Sequence, residues 1–547
     1  MSIARTYVLI PIDTNTVTSG AREVKNALSA EIGRRGLGDE ISVVETAAFG
    51  PTNAGVLVAV QPDNIVYANI TVANVAEIVE EHFVKGRQCK KFLLQGEKPS
   101  IPQAGETDAR QLQAHGRIVL DNCGVINPED IKEYIARDGY FALGKAVTEM
   151  KPEEIISLIK DSGLRGRGGA GFPTGLKWSF CAPVKSKEKY VICNADEGEP
   201  GTFKDRLIME GDPHKVIEGM AICAYAIGGN MGFIYIRGEY KLSIQRLQKA
   251  IDEARKYGFL GRKIFGSSFN FDIEIKIGAG AYVCGEETAL IESMEGKRGL
   301  PRLKPPFPAE CGFRGKPTNV NNVETLANVA PIVRNGAEWF KKFGTAGTPG
   351  TKVYTVLGHI NRPGLIEVPA GVTLREVING YGGGMKGGKF HFAQLGGTAG
   401  DILGQEMLDV PLDYDAMQKN GHVLGSGAIL VVNDTVDIKD FLFYCMKFFM
   451  HESCGNCNPC RNGLKILKDI TARLKAKKAY EDDIDGLEEI SMVLKSAAFC
   501  PLGQSPSGPI MSAMRYFKDE IKKGLGADAK KPKAKHNQRD LITLAPV

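Results

Sequence analysis

The spacing of hydrophobic positions in the first 97 residues alternates between the short period of strands and the longer period of helices. It predicts strands at Thr6–Ile10, Ile41–Glu45, Gly55–Val60 and Ile65–Tyr67, and helices at Gly20–Gly33 and Val72–Val84. We therefore expect residues 1–97 to form a small α/β unit. The turn-rich segment Gly96–Gly105 that follows predicts a linker.

Strand and helix patterns continue to alternate through the middle of the chain. Helices are predicted near 130–150, at Lys151–Lys160 and at Leu242–Tyr257, and strands at Tyr190–Cys193, Gly232–Ile236 and Phe271–Ile277. Such alternation is typical of an α/β domain, which we place at 151–335, after a linker and an approach helix at 98–150.

The segments after residue 335 differ in their predicted secondary structure. Residues 336–415 contain a predicted strand at Lys352–Gly358 and a short helix near Thr373–Asn379, and residues 416–525 are predicted to be helical. The tail at 526–547 is rich in cations and poor in apolar residues, so we expect it to be disordered.

Composition limits the classes of function. At 547 residues the chain is too long for a single core, and its net charge of +5 argues against nucleic acid or an anionic membrane as the partner. It contains no run of eighteen apolar residues and no signal-peptide pattern, so we expect a cytoplasmic protein without direct membrane insertion. Its twelve cysteines are mostly scattered, which favours reduced thiols and a metal site over disulfides.

One segment, Gly163–Trp178, combines six glycines with two arginines and one lysine. Glycine lets backbone approach a ligand closely, consecutive N–H groups bind anions, and the cations suit a phosphate. The segment predicts a phosphate-binding loop for a nucleotide or flavin; a surface loop with solvated cations is the alternative. Its Gly166–Gly171 part matches G-x-G-x-x-G but follows a predicted helix, so we do not expect an ordinary Rossmann dinucleotide site.

Polar segments follow two of the predicted strands. Asn194–Phe203 begins with an amide and contains three carboxylates, which suit ribose hydroxyls, ring amides and ribityl groups, or form a solvated turn. Gly278–Thr288 combines glycines with Glu286 and Glu287, which also favour the start of a helix. The asparagine pair within Pro317–Thr325 can bind a ligand or cap a helix.

Four cysteines have the spacing of a metal site. Cys454, Cys457 and Cys460 are separated by two residues each, and Cys500, followed by proline, lies far downstream. Three close thiolates with a distant fourth are the ligand pattern of a [4Fe–4S] cluster. Structural zinc is the alternative, although zinc sites more often combine two C-x₂-C pairs.

Taken together, these motifs resemble those of one family. The chain contains, in order, GLRGRGGAGFPTGLKW, NADEGEPGT, CGEETAL, PRLKPPFP, VNNVET and HESCGNCNPCRNG. They look like the signatures of the NADH-binding flavoprotein subunit of respiratory complex I. The same module occurs in NAD-linked hydrogenases, formate dehydrogenases and related bifurcating complexes, and the resemblance extends over residues 110–525.

The resemblance implies a multidomain α/β protein that binds FMN, NAD(H) and one [4Fe–4S] cluster. Its expected parts are a Rossmann-like FMN-binding α/β domain, a ubiquitin-like β-grasp (SLBB) domain and a C-terminal helical bundle that holds the cluster. NADH gives up two electrons as a hydride, whereas a cluster accepts one at a time, and a flavin can convert between the two. No catalytic side chain is implied, because positioned cofactors perform the hydride transfer.

The resemblance also implies roles for matching residues. The FMN contacts would be Arg165, Gly166, Gly168, Lys177, Asn194, Asp196, Glu197, Gly285, Glu286, Asn321, Asn322 and Thr325. The NADH contacts would be Phe172, Phe180, Glu199, Glu287, Lys304 and Phe307. The cluster ligands would be Cys454, Cys457, Cys460 and Cys500.

The N-terminal unit departs from its apparent relative. Residues 1–95 resemble the thioredoxin-like [2Fe–2S] domain that is often fused to this subunit in multimeric hydrogenases. That domain requires four cysteines, but Ala48 and Thr52 occupy two of the ligand positions, and Asp13–Val17 lacks the first pair. Because Cys89 alone cannot hold a cluster, we expect a cluster-free thioredoxin-like domain that serves docking or structure.

The resemblance places the chain within a larger redox complex. The fused thioredoxin-like domain favours a soluble multimeric complex, of the kind that includes electron-bifurcating enzymes. Its partners would be a thioredoxin-like [2Fe–2S] subunit and a hydrogenase, formate dehydrogenase or CoA-ester reductase module. The alternatives are the equivalent subunit of membrane-associated complex I and a catalytically silent iron–sulfur docking subunit.

Overall fold

A computed structural model describes residues 6–46, 54–94, 117–527 and 529. The chain separates into two compact units, residues 1–433 and 434–547. The predicted linker Gly96–Gly105, the segment Ala48–Thr52 and the tail beyond residue 529 lie outside the described residues.

The first sheet is built from the N-terminal residues. Its strands are β1 (Thr6–Pro11), β2 (Ile41–Thr46), β3 (Val58–Gln61) and β4 (Ile65–Tyr67), in the order β2-β1-β3-β4. Strands β1 and β2 are parallel, and the other pairs are antiparallel. The accompanying helices are Thr14–Thr18, Ala21–Arg34 and Val72–Ile78. Val24, Leu28 and Ile32 share one helix face and are buried in the core of this sheet, as the helical spacing predicts.

The second sheet is entirely parallel. It contains β5 (Tyr190–Ala195), β6 (Met231–Arg237), β7 (Asp272–Gly278) and β8 (Thr318–Asn322), in the order β7-β6-β5-β8. The apolar runs of β5 and β6 are buried, as expected for parallel strands covered by helices, and the helix Pro213–Ile227 is buried along almost its whole length. The other helices of this region are Ile131–Ile135, Phe141–Glu149, Pro152–Asp161, Thr174–Cys181, Lys204–Gly211, Lys241–Lys256, Glu287–Met294, Pro308–Cys311, Val323–Ala327, Val329–Asn335 and Ala337–Lys341.

The third sheet is mixed, as expected for a β-grasp domain. Its strands are β9 (Thr351–Gly358), β10 (Gly364–Pro369), β11 (Phe390–Leu395), β12 (Asp401–Leu403) and β13 (Ala428–Asn433), in the order β10-β9-β13-β11-β12. The accompanying helices are Leu374–Glu376 and Tyr414–Lys419. The central strand β13 lies beyond residue 415, where the sequence placed the end of this domain, so that boundary is too early. The reason is that β13 pairs in parallel with β9, more than seventy residues earlier in the chain.

Glu367 of β10 binds the segment that leads into the parallel-sheet region. Its buried carboxylate accepts the N–H groups of Ile118, Val119 and Leu120 at 2.8, 2.9 and 2.7 Å, and the hydroxyl of Thr351. This set of donors satisfies a buried carboxylate without a cation. The β-grasp sheet therefore holds the chain that enters the neighbouring domain.

The C-terminal unit is helical. Its helices are Ile438–Glu452, Asn458–Lys475, Glu481–Ala497, Pro501–Gln504 and Ser507–Lys522. Leu464, Leu467 and Leu474 lie on one buried face of the second helix. In the described part of the chain, no helix combines the length and the apolar character needed to cross a membrane.

Candidate functional site

The candidate site lies where the strand order of the parallel sheet reverses. From β5, the strands β6 and β7 are added on one side, whereas β8 lies on the other. Open α/β sheets bind ligands in the crevice outside the carboxyl ends of the strands at such a point. Asn321 and Asn322 of β8 pair with Cys193 and Asn194 of β5, so the predicted polar residues of both strands meet at this edge.

The glycine-rich loop packs against the end of β8. It follows the helix Pro152–Asp161, as predicted, so the G-x-G-x-x-G match lacks the preceding strand of a Rossmann site. The Arg167 N–H donates to Thr325 Oγ1 at 2.8 Å. A Cβ on Gly168 would lie 3.2 Å from the Asn322 Cβ, so the missing side chain allows this close approach.

The Arg165 side chain, predicted to contact FMN, is bound by the β-grasp domain. Its guanidinium lies 4.6 Å from the ring centroid of Tyr414 and donates to Asp415 Oδ1 at 2.8 Å and to the Gly347 carbonyl at 3.1 Å. The Tyr414 hydroxyl donates to the Gly166 carbonyl at 2.8 Å. Arg165 and Gly166 therefore anchor the loop to the neighbouring domain.

Lys177, Glu287, Lys304 and Glu286 form one continuous set of ion pairs. The Lys177 Nζ lies 2.9 Å from Glu287 Oε2, and the Lys304 Nζ lies 2.9 Å from both Glu287 Oε1 and Glu286 Oε1. Burial would raise the pKa of Glu287, but the two ammonium groups lower this pKa to about 2. Residues predicted for FMN and residues predicted for NADH thus belong to one network.

Three predicted aromatic residues are unusually exposed. Phe172 and Phe180 form a pair with ring centroids 6.4 Å apart, and their exposed fractions are 46% and 52%. Phe307, which follows Lys304 closely in the chain, is 53% exposed. Exposed rings of this size are suited to stacking on a flat ligand.

Asn194, Asp196 and Gly285 converge beside the sheet. Asn194 donates to the Gly285 carbonyl at 2.9 Å, and its side-chain oxygen accepts the Asp196 N–H at 3.1 Å. A Cβ on Gly285 would have the Asp196 carbonyl oxygen, 3.7 Å away, as its nearest neighbour from elsewhere in the chain. The backbone at Gly285 is therefore open to an approaching ligand.

The helix-capping alternatives are confirmed for two predicted residues. Glu286 accepts the N–H groups of Thr288 and Ala289 at 2.8 and 2.9 Å, which caps the helix that follows. Asn322 accepts the Glu324 N–H at 3.0 Å and caps the helix after β8. In addition to capping this helix, Glu286 forms the ion pair with Lys304 described above.

Glu197 and Asn321 are fixed by internal hydrogen bonds. Glu197 accepts the N–H groups of Asp205 and Arg206 at 2.9 and 3.1 Å, in the first turn of a helix. Burial raises the pKa of Glu197. Asn321 donates to Asn319 Oδ1 at 2.7 Å. Both side chains are therefore held in one orientation at the edge of the sheet.

Glu199, predicted to contact NADH, is bound by residues of two domains. The Tyr282 hydroxyl donates to its Oε2 at 2.6 Å, and the Ala399 N–H donates to its Oε1 at 3.1 Å. Burial raises the pKa of Glu199 to about 7, although these hydrogen bonds lower it. Sequence reasoning missed both partners, and nothing in the local sequence around Ala399 indicates such a role.

A buried ion network adjoins the glycine-rich loop, and sequence reasoning missed it. Lys204 lies 2.7 Å from Asp205 and 2.9 Å from Glu324, and Lys352 of β9 lies 3.0 Å from the same Glu324 oxygen. Lys352 also donates to the Arg167 carbonyl at 3.5 Å. Burial lowers the pKa of Lys352 to about 8, although Glu324 opposes this shift. The partners are far apart in sequence, so no local signal could have found the network.

The N-terminal domain contacts the region next to the site. The Thr14 hydroxyl and N–H donate to the buried Glu210 at 2.6 and 3.1 Å, and Arg206 donates to Asn15 at 3.1 Å. Thr14 and Asn15 lie within Asp13–Val17, where the first cysteine pair of a [2Fe–2S] domain would fall. That segment is used for contact between domains in this chain.

In the C-terminal unit, the four predicted cluster cysteines are neighbours. Cys457 and Cys500 each precede a helix as its capping residue, and Cys460 lies in the first turn after Cys457. A Cβ on Gly503 would lie 3.3 Å from the Cys460 Sγ, so the turn after Cys500 packs on Cys460. Burial raises the pKa of Cys460 to about 11, and the other three thiols, including Cys454, add to this rise. Helix N-termini suit anionic thiolates.

A zinc ion and a [4Fe–4S] cluster use four thiolates differently. Zinc requires all four thiolates on one ion, whereas in an iron–sulfur cluster each thiolate binds a different iron and the thiolates stand further apart.

A glycine-rich loop at a parallel sheet edge and a separate set of four thiols are the two sites that a flavin- and iron–sulfur-dependent oxidoreductase needs. Family models match at three places. The Nuo51 FMN-binding domain matches residues 159–331, the SLBB domain matches 353–401, and the NADH-ubiquinone oxidoreductase-F iron-sulfur binding region matches 440–524.

Individual relatives agree with these matches. The NADP-reducing hydrogenase subunit HndC of Solidesulfovibrio fructosivorans is 52% identical over 76% of this chain and 84% of the relative. An F-type subunit of the NADH-quinone oxidoreductase of Rhizobium meliloti (strain 1021) is 46% identical over 74% of this chain and 96% of the relative. A chain of the NAD⁺-reducing [NiFe]-hydrogenase in the H₂-reduced state is 30% identical, with a TM-score of 0.66 over 96% of this chain and 85% of that chain.

The chain therefore belongs to the family of NADH-quinone oxidoreductase F subunits and their hydrogenase relatives. It is an oxidoreductase with NADH as substrate and FMN and a [4Fe–4S] cluster as cofactors. The described residues fit these groups. The ammonium of Lys177, the amide of Asn194 and the open backbone at Gly285 suit a flavin phosphate, ribityl chain and ring edge, and the four clustered thiols suit the iron–sulfur centre.

Proposed function

We propose that this chain transfers a hydride between NAD(H) and FMN, and passes single electrons through the cluster to partner subunits. The observation that carries this proposal is the ion network of Lys177, Glu286, Glu287 and Lys304, which links the residues expected to contact each cofactor. Side chains joined in one network can hold two ligands in a fixed geometry, which a reaction between those ligands needs.

On the FMN side, backbone and amide groups bind the flavin. Gly166, Gly168 and Gly285 provide close backbone approach, and Lys177 provides the charge for the phosphate. The polar side chains on this side are Asn194, Asp196, Glu197, Glu286, Asn321, Asn322 and Thr325. Arg165 acts indirectly, because its bonds to the β-grasp domain support a role in holding the loop.

On the NADH side, charged side chains bind the polar parts of the nucleotide and aromatic side chains bind its adenine ring. Glu199 and Glu287 accept hydrogen bonds from hydroxyl and amide groups, and Lys304 lies beside the pyrophosphate. The exposed rings of Phe172, Phe180 and Phe307 stack on the adenine. Together these side chains hold the nicotinamide end close to the flavin.

FMN, when bound, accepts a hydride and releases electrons one at a time, which is the conversion that the cluster needs. Hydride transfer itself requires no general acid or base from the protein. The chain's own residues bind and orient both ligands, and Cys454, Cys457, Cys460 and Cys500 bind the cluster.

The parent complex is a multimeric redox enzyme of the hydrogenase type. The structural match to the hydrogenase chain extends over 96% of this chain, and so includes most of the N-terminal domain. The contacts of Thr14 and Asn15 support a docking or structural role for a cluster-free N-terminal domain. We place the complex in the cytoplasm, where a reducing environment keeps cysteines available as cluster ligands.

Anaerobic titration of the purified chain with NADH tests the proposal. We expect the flavin absorbance near about 450 nm to bleach as NADH is added, and an artificial acceptor to be reduced during turnover. A chain that binds FMN but is not reduced by NADH would instead be a silent docking subunit. A chain that never retains flavin would refute the proposal altogether.

Iron and acid-labile sulfide analysis tests the cluster assignment. The intact chain should contain one [4Fe–4S] cluster, with no second cluster signal in the EPR spectrum of the reduced protein. A second signal would contradict the cluster-free N-terminal domain.

A further inference from the structure

The turn after β5, which carries Glu199, is braced by the β-grasp domain. The Thr355 hydroxyl of β9 donates to the Gly201 carbonyl at 2.6 Å. The hydroxyls of Thr202 and Ser426 lie 3.2 Å apart. Two contacts from different parts of the β-grasp domain therefore hold the backbone on which Glu199 stands.

The loop between β11 and β12 reaches the Glu199 side chain itself. Its Ala399 N–H and the Tyr282 hydroxyl bind the two carboxylate oxygens separately. Because each oxygen has its own donor, the plane of the carboxylate is fixed. One donor comes from the parallel-sheet domain and the other from the β-grasp domain.

Gly397 in this loop is in contact with Glu199. Its φ of +84° lies in the left-handed region that favours glycine. A Cβ at this position would lie 2.2 Å from the Glu199 Cγ and 2.6 Å from both its Cδ and its Oε1. Any side chain at residue 397 would therefore displace the Glu199 side chain from the Tyr282 and Ala399 donors.

We propose that Gly397 is a positioning residue through which the β-grasp domain fixes Glu199 in the nicotinamide-nucleotide site. This inference rests on the proposed role of Glu199 in NADH binding. It gives the β-grasp domain a direct part in recognising the substrate, in addition to any contact with partner subunits.

Gly397→Ala tests the inference, with Gly384→Ala as the matched control. Gly384 lies in the same domain with a φ of +86°, and a Cβ there would come no closer than 3.9 Å to Asn361. Both variants carry the same backbone strain, but only the first collides with Glu199. In the full holoenzyme, we expect Gly397→Ala to raise the KM for NADH by roughly tenfold to a hundredfold, the range for losing a hydrogen bond to a charged group. The FMN content and kcat should change little, and Gly384→Ala should leave KM unchanged.

A double-mutant cycle with Glu199→Ala separates positioning from general damage. Once the glutamate is truncated, the added methyl at 397 has room, so Gly397→Ala should have no further effect on KM. If Gly397→Ala does not fold, the double variant should fold and match Glu199→Ala; a double variant that stays unfolded overturns the inference. If Glu199→Ala raises KM but Gly397→Ala behaves like the control, the inference fails and the proposed function stands. If Glu199→Ala leaves KM unchanged, the proposed role of Glu199 fails first.

Discussion

The buried ion network beside the glycine-rich loop can be tested by removing its shared anion. Glu324 is completely buried, and its Oε2 lies 2.9 Å from Lys204 and 3.0 Å from Lys352. Burial would raise the pKa of Glu324, but the neighbouring cations lower it to about 2, so it is a carboxylate at neutral pH. Glu324→Gln keeps the size of the side chain, removes its charge and replaces one acceptor oxygen with an amide NH2 group.

The expected loss of stability depends on which anionic partners Lys204 and Lys352 retain. Removing one partner of a buried ion pair costs about 3–5 kcal/mol, because it leaves an uncompensated charge. Lys204 still has Asp205 at 2.7 Å, and the amide can still accept the Val353 N–H that Glu324 accepts at 2.9 Å. Lys352 loses its anionic partner, so we expect a loss near the lower end, about 3 kcal/mol.

Thermal unfolding of the FMN-loaded protein measures this loss. The unit that contains Glu324 spans residues 1–433. At an unfolding entropy of about 2.1 cal/mol/K per residue, about 3 kcal/mol corresponds to a fall in Tm of roughly 3 °C. Lys352→Met should cost less, because Glu324 keeps Lys204 at 2.9 Å and an apolar side chain replaces a buried ammonium. Glu338→Gln, whose side chain is 85% exposed, serves as the surface control. If Glu324→Gln lowered Tm no more than Lys352→Met, the reasoning would be refuted.

Three further predictions concern the substrate site, the cluster and the N-terminal domain. Because burial raises the pKa of Glu199 to about 7, its accepting carboxylate form is gained as pH rises through that value, so kcat/KM for NADH should increase between about pH 6 and 8. Glu199→Gln should lower kcat/KM and remove this rise while retaining FMN; an unchanged profile would contradict the role of Glu199. Cys457→Ala should abolish the cluster EPR signal but leave flavin reduction by NADH intact, whereas Cys311→Ala, at an exposed cysteine, should change neither. Thr14→Val should lower Tm because it removes the hydroxyl that donates to the buried Glu210 at 2.6 Å, while Thr18→Val, whose hydroxyl is exposed, should not. Equal effects would argue against docking through Thr14.

Much of the architecture could be predicted from the sequence because its signals are local. The strands β5 and β6 are short apolar runs, as buried parallel strands are, and the cysteine spacing from Cys454 to Cys460 specifies its own chemistry. The capping roles of Glu286 and Asn322 could also be anticipated, because a capping residue and its helix are adjacent in sequence.

The parts that could not be predicted depend on pairings between distant segments. β13 reads as an ordinary apolar stretch, and only its parallel partner β9 makes it the centre of a sheet. Arg165 lies in a motif that points to an anion, yet its guanidinium is bound by Asp415. Likewise, the glycine at 397 indicates a turn, but its contact with Glu199 appears only when the two domains are placed together.

The hydrogen bonds of Glu367 determine how this chain can be recombined with its relatives. Three backbone N–H groups at Ile118–Leu120 depend on a carboxylate that lies nearly 250 residues later. A chimaera joined between the parallel sheet and the β-grasp sheet would separate these donors from their acceptor unless both parents kept the same geometry. Residues 117–433 should therefore be exchanged as one block, with the crossover after Asn433, where the helical unit begins.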